Sequence, residues 1–240
     1  MRVLAVDTSS SVAAVAVMDG IRLQGEYILD NGKTHSQKLV PMVKEIMANL
    51  ELTPHDIDLY AASSGPGSFT GLRIGITTIK AIAFAAKKPV VSIPTLDALA
   101  YNIPVTGSVV CPIMDARNNQ VYTALFKYED NIQTNITEYM GLHISELISL
   151  IKGKNIDVVF IGDAVQLHRD LLKSEIGIRC SFVPQYLLRN RASTVAELAL
   201  LKALNGQTEN CFDMAPYYLR KSQAEREYEK KLEEKVQRIL

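Results

Sequence analysis

Short apolar runs alternate with helical patterns along the chain. In the first half, three apolar runs in succession predict strands, and the Asp19-Gly20 pair between the second and third is typical of a hairpin turn. The predicted elements are strands over 2–7, 12–18 and 21–29, a helix over 35–50, a strand over 57–63, a helix ending near 87, a strand over 90–93 and a short helix over 94–101.

The second half repeats this order of elements without repeating the sequence. Its predicted elements are strands over 108–114, 120–128 and 133–139, a helix over 145–151, a strand over 157–161, a helix over 165–173, a strand over 178–183 and a helix over 194–205. Three strands followed by alternating helices and strands predict a mixed sheet with helices on its faces.

Two such units side by side describe a duplicated actin-like, ribonuclease-H-like α/β fold (the ASKHA fold). We expect two mixed-sheet lobes, each with helices on the sheet faces. The division is placed near Ile103-Pro104. It gives an N-terminal lobe over 1–103, a C-terminal lobe over 104–225 and a charged tail over 226–240.

Composition bounds the classes of function. The chain has 240 residues, 48% of them hydrophobic, and 26 basic residues balance 26 acidic ones. Proteins that bind nucleic acid unaided usually carry a basic excess, so binding of tRNA or DNA by this chain would need help from a partner. The three cysteines show no metal-ligand spacing, the N-terminus lacks a signal-peptide pattern, and no apolar run reaches roughly 18 residues. We therefore expect no metal site, no membrane span and a cytoplasmic location.

A glycine-rich segment, SGPGSFTGLRIG at residues 64–75, precedes a predicted helix. Such turns often bind phosphate. The segment lacks the Lys and Ser/Thr of a P-loop, the last glycine of GxGxxG and the GxSxG of a nucleophile elbow. Two alternatives stay open: a structural turn whose glycines permit positive φ, or nucleotide contact through Ser68 and Thr70.

Two predicted helices are apolar over more of their surface than core packing requires. On the helix after the glycine turn, only Arg73 and Lys80 carry charge. Thr34 and Gln37 fit a capping box at the start of the other helix. Either both helices are deeply buried, or their second faces meet another chain. The residues predicted at such an interface are Ser36, Leu39, Val40, Val43, Met47, Arg73, Ile74, Thr77, Thr78 and Ala81.

Two acidic residues, Asp7 and Asp115, end strands at equivalent places in the two halves. In actin-like kinases an acid at this place handles metal or phosphate, so an autonomous ATPase or kinase using both residues is one alternative. Against it, the turns at 117–119 and 162–164 contain fewer glycines than phosphate-binding turns of that fold. The other interpretation of both acids is turn capping.

Several segments resemble the TsaB (YeaZ) family. They are DTS at 7–9, HSQKLVP at 35–41, GPGSFTGLRIG at 65–75, DAR at 115–117 and PYYLR at 216–220. The similarity runs from Met1 to about Glu225. It implies a part in N6-threonylcarbamoyladenosine (t6A) formation in tRNA, as a non-catalytic subunit that pairs with the transferase TsaD through N-terminal helices and works with the ATPase TsaE.

The resemblance also bears on cofactors. The catalytic relative binds its metal with two histidines four residues apart, whereas here His35 is followed by Leu39, so the second ligand is missing and no metalloprotease is predicted. We expect no catalytic residue, no activity of the chain alone and no cofactor of its own. A nucleotide held between subunits would contact Asp7, Ser68 and Thr70. Without TsaD, the apolar helices are expected to form a homodimer.

Overall fold

The computed structural model describes residues 1–130 and 132–220, so the charged tail predicted over 226–240 lies outside the described residues. The first sheet has the strand order β3-β2-β1-β4-β5. Its strands are β1 (Arg2–Asp7), β2 (Ala13–Asp19), β3 (Arg22–Leu29), β4 (Leu59–Gly65) and β5 (Val90–Pro94). β1 runs antiparallel to β2 and parallel to β4, which makes the sheet mixed, as predicted.

The second sheet follows the same plan. Its main order is β10-β7-β6-β11-β12, and β8 and β9 form a hairpin attached to β6. The strands are β6 (Val109–Asp115), β7 (Gln120–Thr123), β8 (Phe126–Glu129), β9 (Ile132–Asn135), β10 (Met140–His143), β11 (Val158–Ile161) and β12 (Cys180–Phe182). β6 runs parallel to β11 and antiparallel to β7, as β1 does with its neighbours. The predicted duplicated α/β architecture is confirmed.

Six α-helices accompany the sheets within the described ranges. They are α1 (His35–Asn49), α2 (Phe69–Ala86), α3 (Thr95–Ala100), α4 (Ile144–Lys154), α5 (Val165–Ile176) and α6 (Ala192–Leu204). Helices α1 and α2 pack on one face of the first sheet, where Leu39 and Ile46 of α1 and Ile76 and Ile79 of α2 join the same buried cluster.

The last helix of each lobe reaches the core of the other lobe. In α3, Leu96 and Leu99 are fully buried in the core of the second sheet. In α6, Val195 and Ala199 are fully buried against the other face of the first sheet. The division at 103–104 stays a prediction, but the packing of α6 crosses it, because this helix follows the second sheet in sequence and covers the first.

Two local predictions were wrong. The strand predicted over 120–128 is interrupted by Ala124 and Leu125, because β7 pairs with the end of β6 whereas β8 pairs at Val110, near its start. The strand predicted over 133–139 ends at Asn135, and β10 was not predicted.

The capping box predicted at the start of α1 is also absent. The Thr34 side chain makes no bond to the helix N-terminus, and its hydroxyl lies 3.1 Å from the hydroxyl of Ser36. The N–H of Gln37 instead donates to the Thr34 backbone carbonyl. The neighbouring hydroxyl therefore engages the Thr34 oxygen that a capping box would have used.

Candidate functional site: an interlobe cleft and an adjoining helix face

The glycines of the 64–75 segment allow α2 to approach the turn after β1. A Cβ atom at Gly71 would lie 2.0 Å from the Thr8 carbonyl oxygen, and one at Gly75 would lie 2.3 Å from Thr8 Oγ1. A Cβ atom at Gly67 would lie 2.4 Å from the Ser9 carbonyl oxygen. Contacts this short do not occur, so only glycine fits at these three positions. They therefore have a structural role in packing helix against turn.

Ser68 and Thr70 lie at the start of α2. The Ser68 N–H donates to the Ser9 carbonyl at 2.6 Å, and its hydroxyl accepts a bond from the Gly71 N–H at 3.2 Å, which caps the helix. Both Ser68 and Thr70 are exposed and line the cleft between the lobes. Both side chains are therefore accessible to a ligand in the cleft. Their contact with a nucleotide stays a prediction.

The interlobe cleft has a volume of about 540 Å³. The first lobe contributes hydroxyl groups of residues 9–11 and the start of α2. The second lobe contributes Asp115, Arg117 and Asp163, and residues 217–220 close one side. Asp163 was not singled out from the sequence, although its position just after β11 is a strand end like that of Asp115.

The two cleft carboxylates differ in surroundings. Asp115 is exposed and accepts a bond from the Arg117 N–H at 2.8 Å. Asp163 accepts a bond from the Asp115 N–H at 3.0 Å. Burial raises the pKa of the Asp163 carboxyl, an effect that this backbone bond partly offsets. Asp115 and Asp163 therefore both accept backbone bonds in the turn after β6, which supports the capping interpretation of Asp115.

Asp7 lies behind the cleft wall and not on it. It is 1% exposed. One carboxylate oxygen accepts bonds from the N–H and hydroxyl of Ser9 at 2.9 and 2.7 Å. The other accepts bonds from the Ser63 hydroxyl and from Asn190 Nδ2, the latter at 3.3 Å. Because both oxygens are engaged by buried donors, this placement argues against the metal- or phosphate-handling role considered for Asp7.

His35 opens α1 at the edge of the cleft. Its Nε2 lies 2.8 Å from the Ser10 carbonyl oxygen, so this nitrogen carries the proton and donates it. Partial burial lowers the pKa of His35. The bond to the Ser10 carbonyl raises this pKa, and the charge of Lys38 lowers it further.

The metal site of the catalytic relative does not fit this chain. Leu39, at the position of the relative's second histidine, is fully buried in the core. In the part of the chain that the structure describes, His, Cys, Asp and Glu side chains form no group of three that could hold a metal ion.

The predicted interface residues fall into three groups by exposure. Ser36, Val40, Arg73, Thr77 and Ala81 are exposed, Ile74 and Thr78 are half-buried, and Leu39, Val43 and Met47 are buried. The last three pack in the core of the first lobe and offer little surface to a partner, and their assignment to the interface stays a prediction. They fall inside the apolar arc of α1, which core contacts account for. We call the exposed and half-buried residues of this set the pairing face. It is narrower than the surface predicted from the sequence.

The chain itself covers part of α2. Residues 205–220, here named the C-terminal strap, run along one side of this helix. Arg73 lies 4.2 Å over the Phe69 ring, and its Nε donates to the Tyr218 hydroxyl at 2.9 Å. Lys80 donates to the carbonyls of Phe212 and Met214 at 3.2 and 2.8 Å. Arg73 and Lys80, the two charged residues that the sequence analysis noted on this helix, thus contact the strap.

Helix α2 also bears on the expectation that the chain has no membrane span. Within the described residues, α2 is the one helix that is both long enough and apolar enough to cross a bilayer, judged by length and composition alone. Its Leu72, Ile76 and Ile79 are buried in the lobe core, as in the core helix of a globular domain.

Comparison with known proteins agrees with this geometry. A family model described as TsaD, tRNA N6-adenosine threonylcarbamoyltransferase, matches residues 30–228. The tRNA threonylcarbamoyladenosine biosynthesis protein TsaB of Bacillus subtilis is 29% identical over 226 residues, which cover 94% of this chain and 96% of the relative. The TsaB protein of Haemophilus influenzae is 38% identical over 128 residues, 51% of this chain and 52% of the relative.

Solved structures show the same fold. YeaZ from Pseudomonas aeruginosa superposes with a TM-score of 0.75 at 23% identity, covering 91% of this chain and 100% of that one. Component A of (R)-2-hydroxyglutaryl-CoA dehydratase from Acidaminococcus fermentans gives a TM-score of 0.50 at 14% identity, covering 85% and 99%. Motifs, fold and relatives agree: the chain belongs to the family that the TsaD model describes, as a member of its TsaB (YeaZ) group.

Proposed function

We propose that this protein is a non-catalytic partner subunit of a TsaD-type transferase in t6A modification of tRNA, acting together with the ATPase TsaE. The observation that carries the proposal is the pairing face, an almost uncharged helix surface left open to solvent. Val40 of α1 is 43% exposed, and Thr77 and Ala81 of α2 are also exposed. Solvent-exposed helix surfaces are normally charged, so this one fits a protein contact.

The surroundings of Asp7 support the non-catalytic part of the proposal. An acid that must bind a metal or a phosphate needs a free oxygen toward the ligand. Here four donors occupy the two oxygens, and the residue lies outside the cleft lining. In the proposed complex the partner supplies the chemistry, and this chain supplies a surface that positions the partner.

Other parts of the proposal follow from charge and exposure. The equal numbers of basic and acidic residues favour tRNA contact through the complex. The pairing face also supports a homodimer in the absence of the partner. A nucleotide between subunits, reached by Ser68 and Thr70, and a cytoplasmic location belong to the same proposal.

The test is sedimentation of this chain with its cognate TsaD. We expect a one-to-one complex for the wild type. Val40→Glu and Thr77→Glu place a charge in the contact and are expected to weaken it at least about tenfold, because a buried unpaired carboxylate costs several kcal/mol. Leu171→Glu on α5 is the matched control: Leu171 is 42% exposed on the other lobe, and its substitution leaves pairing unchanged.

Three results would contradict the proposal. The first is the absence of any complex with the wild type. The second is normal pairing by folded Val40→Glu and Thr77→Glu variants. The third is formation of t6A by the isolated chain from threonine, bicarbonate, ATP and tRNA, which would show that it is catalytic by itself.

A further inference from the structure

Two phenylalanines are exposed side by side on the first lobe. The chain has six phenylalanines. Phe84 in α2 is 61% exposed and Phe212 in the C-terminal strap is 71% exposed. Their rings form an edge-to-face pair with centroids 5.4 Å apart. Large exposed apolar patches are uncommon on monomers, whereas aromatic residues dominate the binding energy of protein interfaces.

The strap presents Phe212 in a defined position. Upstream, Glu209 exchanges two backbone bonds with Val90 of β5, and its side chain accepts a bond from the Ser92 N–H at 2.7 Å. Downstream, Met214 is 1% exposed in the lobe core. Between them, Lys80 binds the carbonyl of Phe212 itself. Because the backbone at Phe212 and on both sides of it is already fixed, this part of the strap loses little conformational freedom on binding, which favours an anchor.

The aromatic pair continues the pairing face. Thr77, Ala81 and Phe84 follow one another at spacings of four and three residues, so they share one side of α2. We propose that Phe84 and Phe212 anchor the TsaD-type partner, so that the contact runs along α2 and onto the strap. This inference rests on the proposed function and extends its contact surface.

Charge favours that partner over a second copy of this chain. Residues 69–88 contain four basic residues and no acidic one, and Arg73 and Lys87 are exposed. Two copies joined through this helix would bring Arg73 and Lys87 of both copies into one contact, so the homodimer proposed for the chain alone would be the weaker of the two assemblies. A partner whose contacting face carries carboxylates would complement them. The occupant we infer is therefore an apolar surface flanked by acidic residues.

The experiment measures the dissociation constant of the complex with the cognate TsaD for Phe84→Ala and Phe212→Ala. We expect each to weaken the complex about tenfold or more. The double variant is expected to cost less than the sum, because the two rings contact each other. Tyr186→Ala, which removes an aromatic ring 78% exposed elsewhere on the molecule, is the matched control and leaves the constant within about twofold.

Urea unfolding of each variant shows whether a substitution has disturbed the fold. Because Phe84 lies in a regular helix and not in the strap, Phe84→Ala tests the anchor without altering the structure of the strap. Unchanged affinity in both phenylalanine variants, with Val40→Glu and Thr77→Glu still disruptive, overturns the anchor and leaves the proposed function standing. Pairing that survives all four substitutions removes the proposed function itself. Weaker self-association of the chain alone with an unchanged TsaD complex would assign the pair to a second copy and also overturn the inference.

Discussion

At the scale of single residues, the structural role of the glycine motif can be tested with a matched pair. Gly71→Ala would place a methyl group against the Thr8 carbonyl, so we expect a loss of about 1–3 kcal/mol in the free energy of unfolding, measured in urea. Gly153→Ala in α4 meets no atom within 4 Å. It is expected to be neutral or to stabilise by up to about 1 kcal/mol through helix propensity. Equal effects of the two would contradict a packing role for Gly71.

His35 predicts a pH dependence. Its pKa in the folded protein is lowered from the ordinary value of 6.5, mainly by burial. As pH falls through 6.5, the unfolded chain takes up the proton before the folded protein does. The contribution of His35 to the free energy of unfolding is therefore present above that pH and is lost as the pH falls below it.

The measurement compares the free energy of unfolding at about pH 7.5 and 5.5. His35→Gln, which keeps an N–H donor for the Ser10 carbonyl, is expected to reduce the loss seen in the wild type. Some loss remains, because burial also lowers the pKa of His168. His55→Gln alters an exposed ring and serves as the control. An identical loss with and without His35 would show that the lowered pKa is not linked to folding.

At the scale of elements, three successive residues before α6 tie this helix to the first lobe. Arg189 pairs with Asp30 at 3.2 Å, Asn190 donates to Asp7, and Arg191 pairs with Glu26. Glu26 also accepts bonds from the N–H and hydroxyl of Ser193 at 2.9 and 2.8 Å. This clasp, residues 189–191, holds α6 on a sheet from which it is distant in sequence.

Removal of its central carboxylate tests the clasp. Glu26→Ala leaves the donors of Arg191 and Ser193 unpaired, and the Glu26 side chain is only 7% exposed. We expect a loss of about 2–3 kcal/mol in the free energy of unfolding. Asp157→Ala removes an exposed pair with Arg179 at 4.0 Å and should cost less than about 1 kcal/mol. Comparable losses would mean that the clasp adds little to the docking of α6.

At the scale of the whole molecule, the geometry of Asp7 predicts that the isolated chain does not bind magnesium ATP. Titration calorimetry should detect no binding heat. Asp7→Ala is expected to destabilise the fold by about 1–3 kcal/mol, because it leaves buried hydroxyl and amide donors unpaired. Tight ATP binding by the wild type that disappears in Asp7→Ala would restore the autonomous ATPase.

The sequence predicted the general plan because that plan depends on local patterns. Apolar runs and helical periodicity identified both mixed sheets, and most element boundaries agree within a few residues. Prediction failed where the structure of a segment depends on its pairing with a segment distant in sequence. The break at Ala124 and Leu125 arises because the two halves of the predicted strand pair with different parts of β6.

The surface of α1 and α2 shows the same limit. Periodicity shows which residues share a helix face, but not how much of that face neighbouring elements cover. Val43 and Met47 were placed at a partner surface, yet core contacts bury them. The strap residues that Arg73 and Lys80 contact lie 145 and 134 residues away along the chain, so these contacts could not be seen in the helix pattern.

The sequence by itself determined the duplicated fold, the presence of a glycine-rich turn before a helix and the family resemblance, since these depend on residue type and spacing. Only the tertiary structure decided that Asp7 is enclosed, that α6 covers the first sheet, that core contacts narrow the pairing face, and that the strap lies along α2 and carries Phe212. Each of these follows from contacts between segments far apart in the chain, and burial and hydrogen bonding are set by such contacts, which no local pattern records.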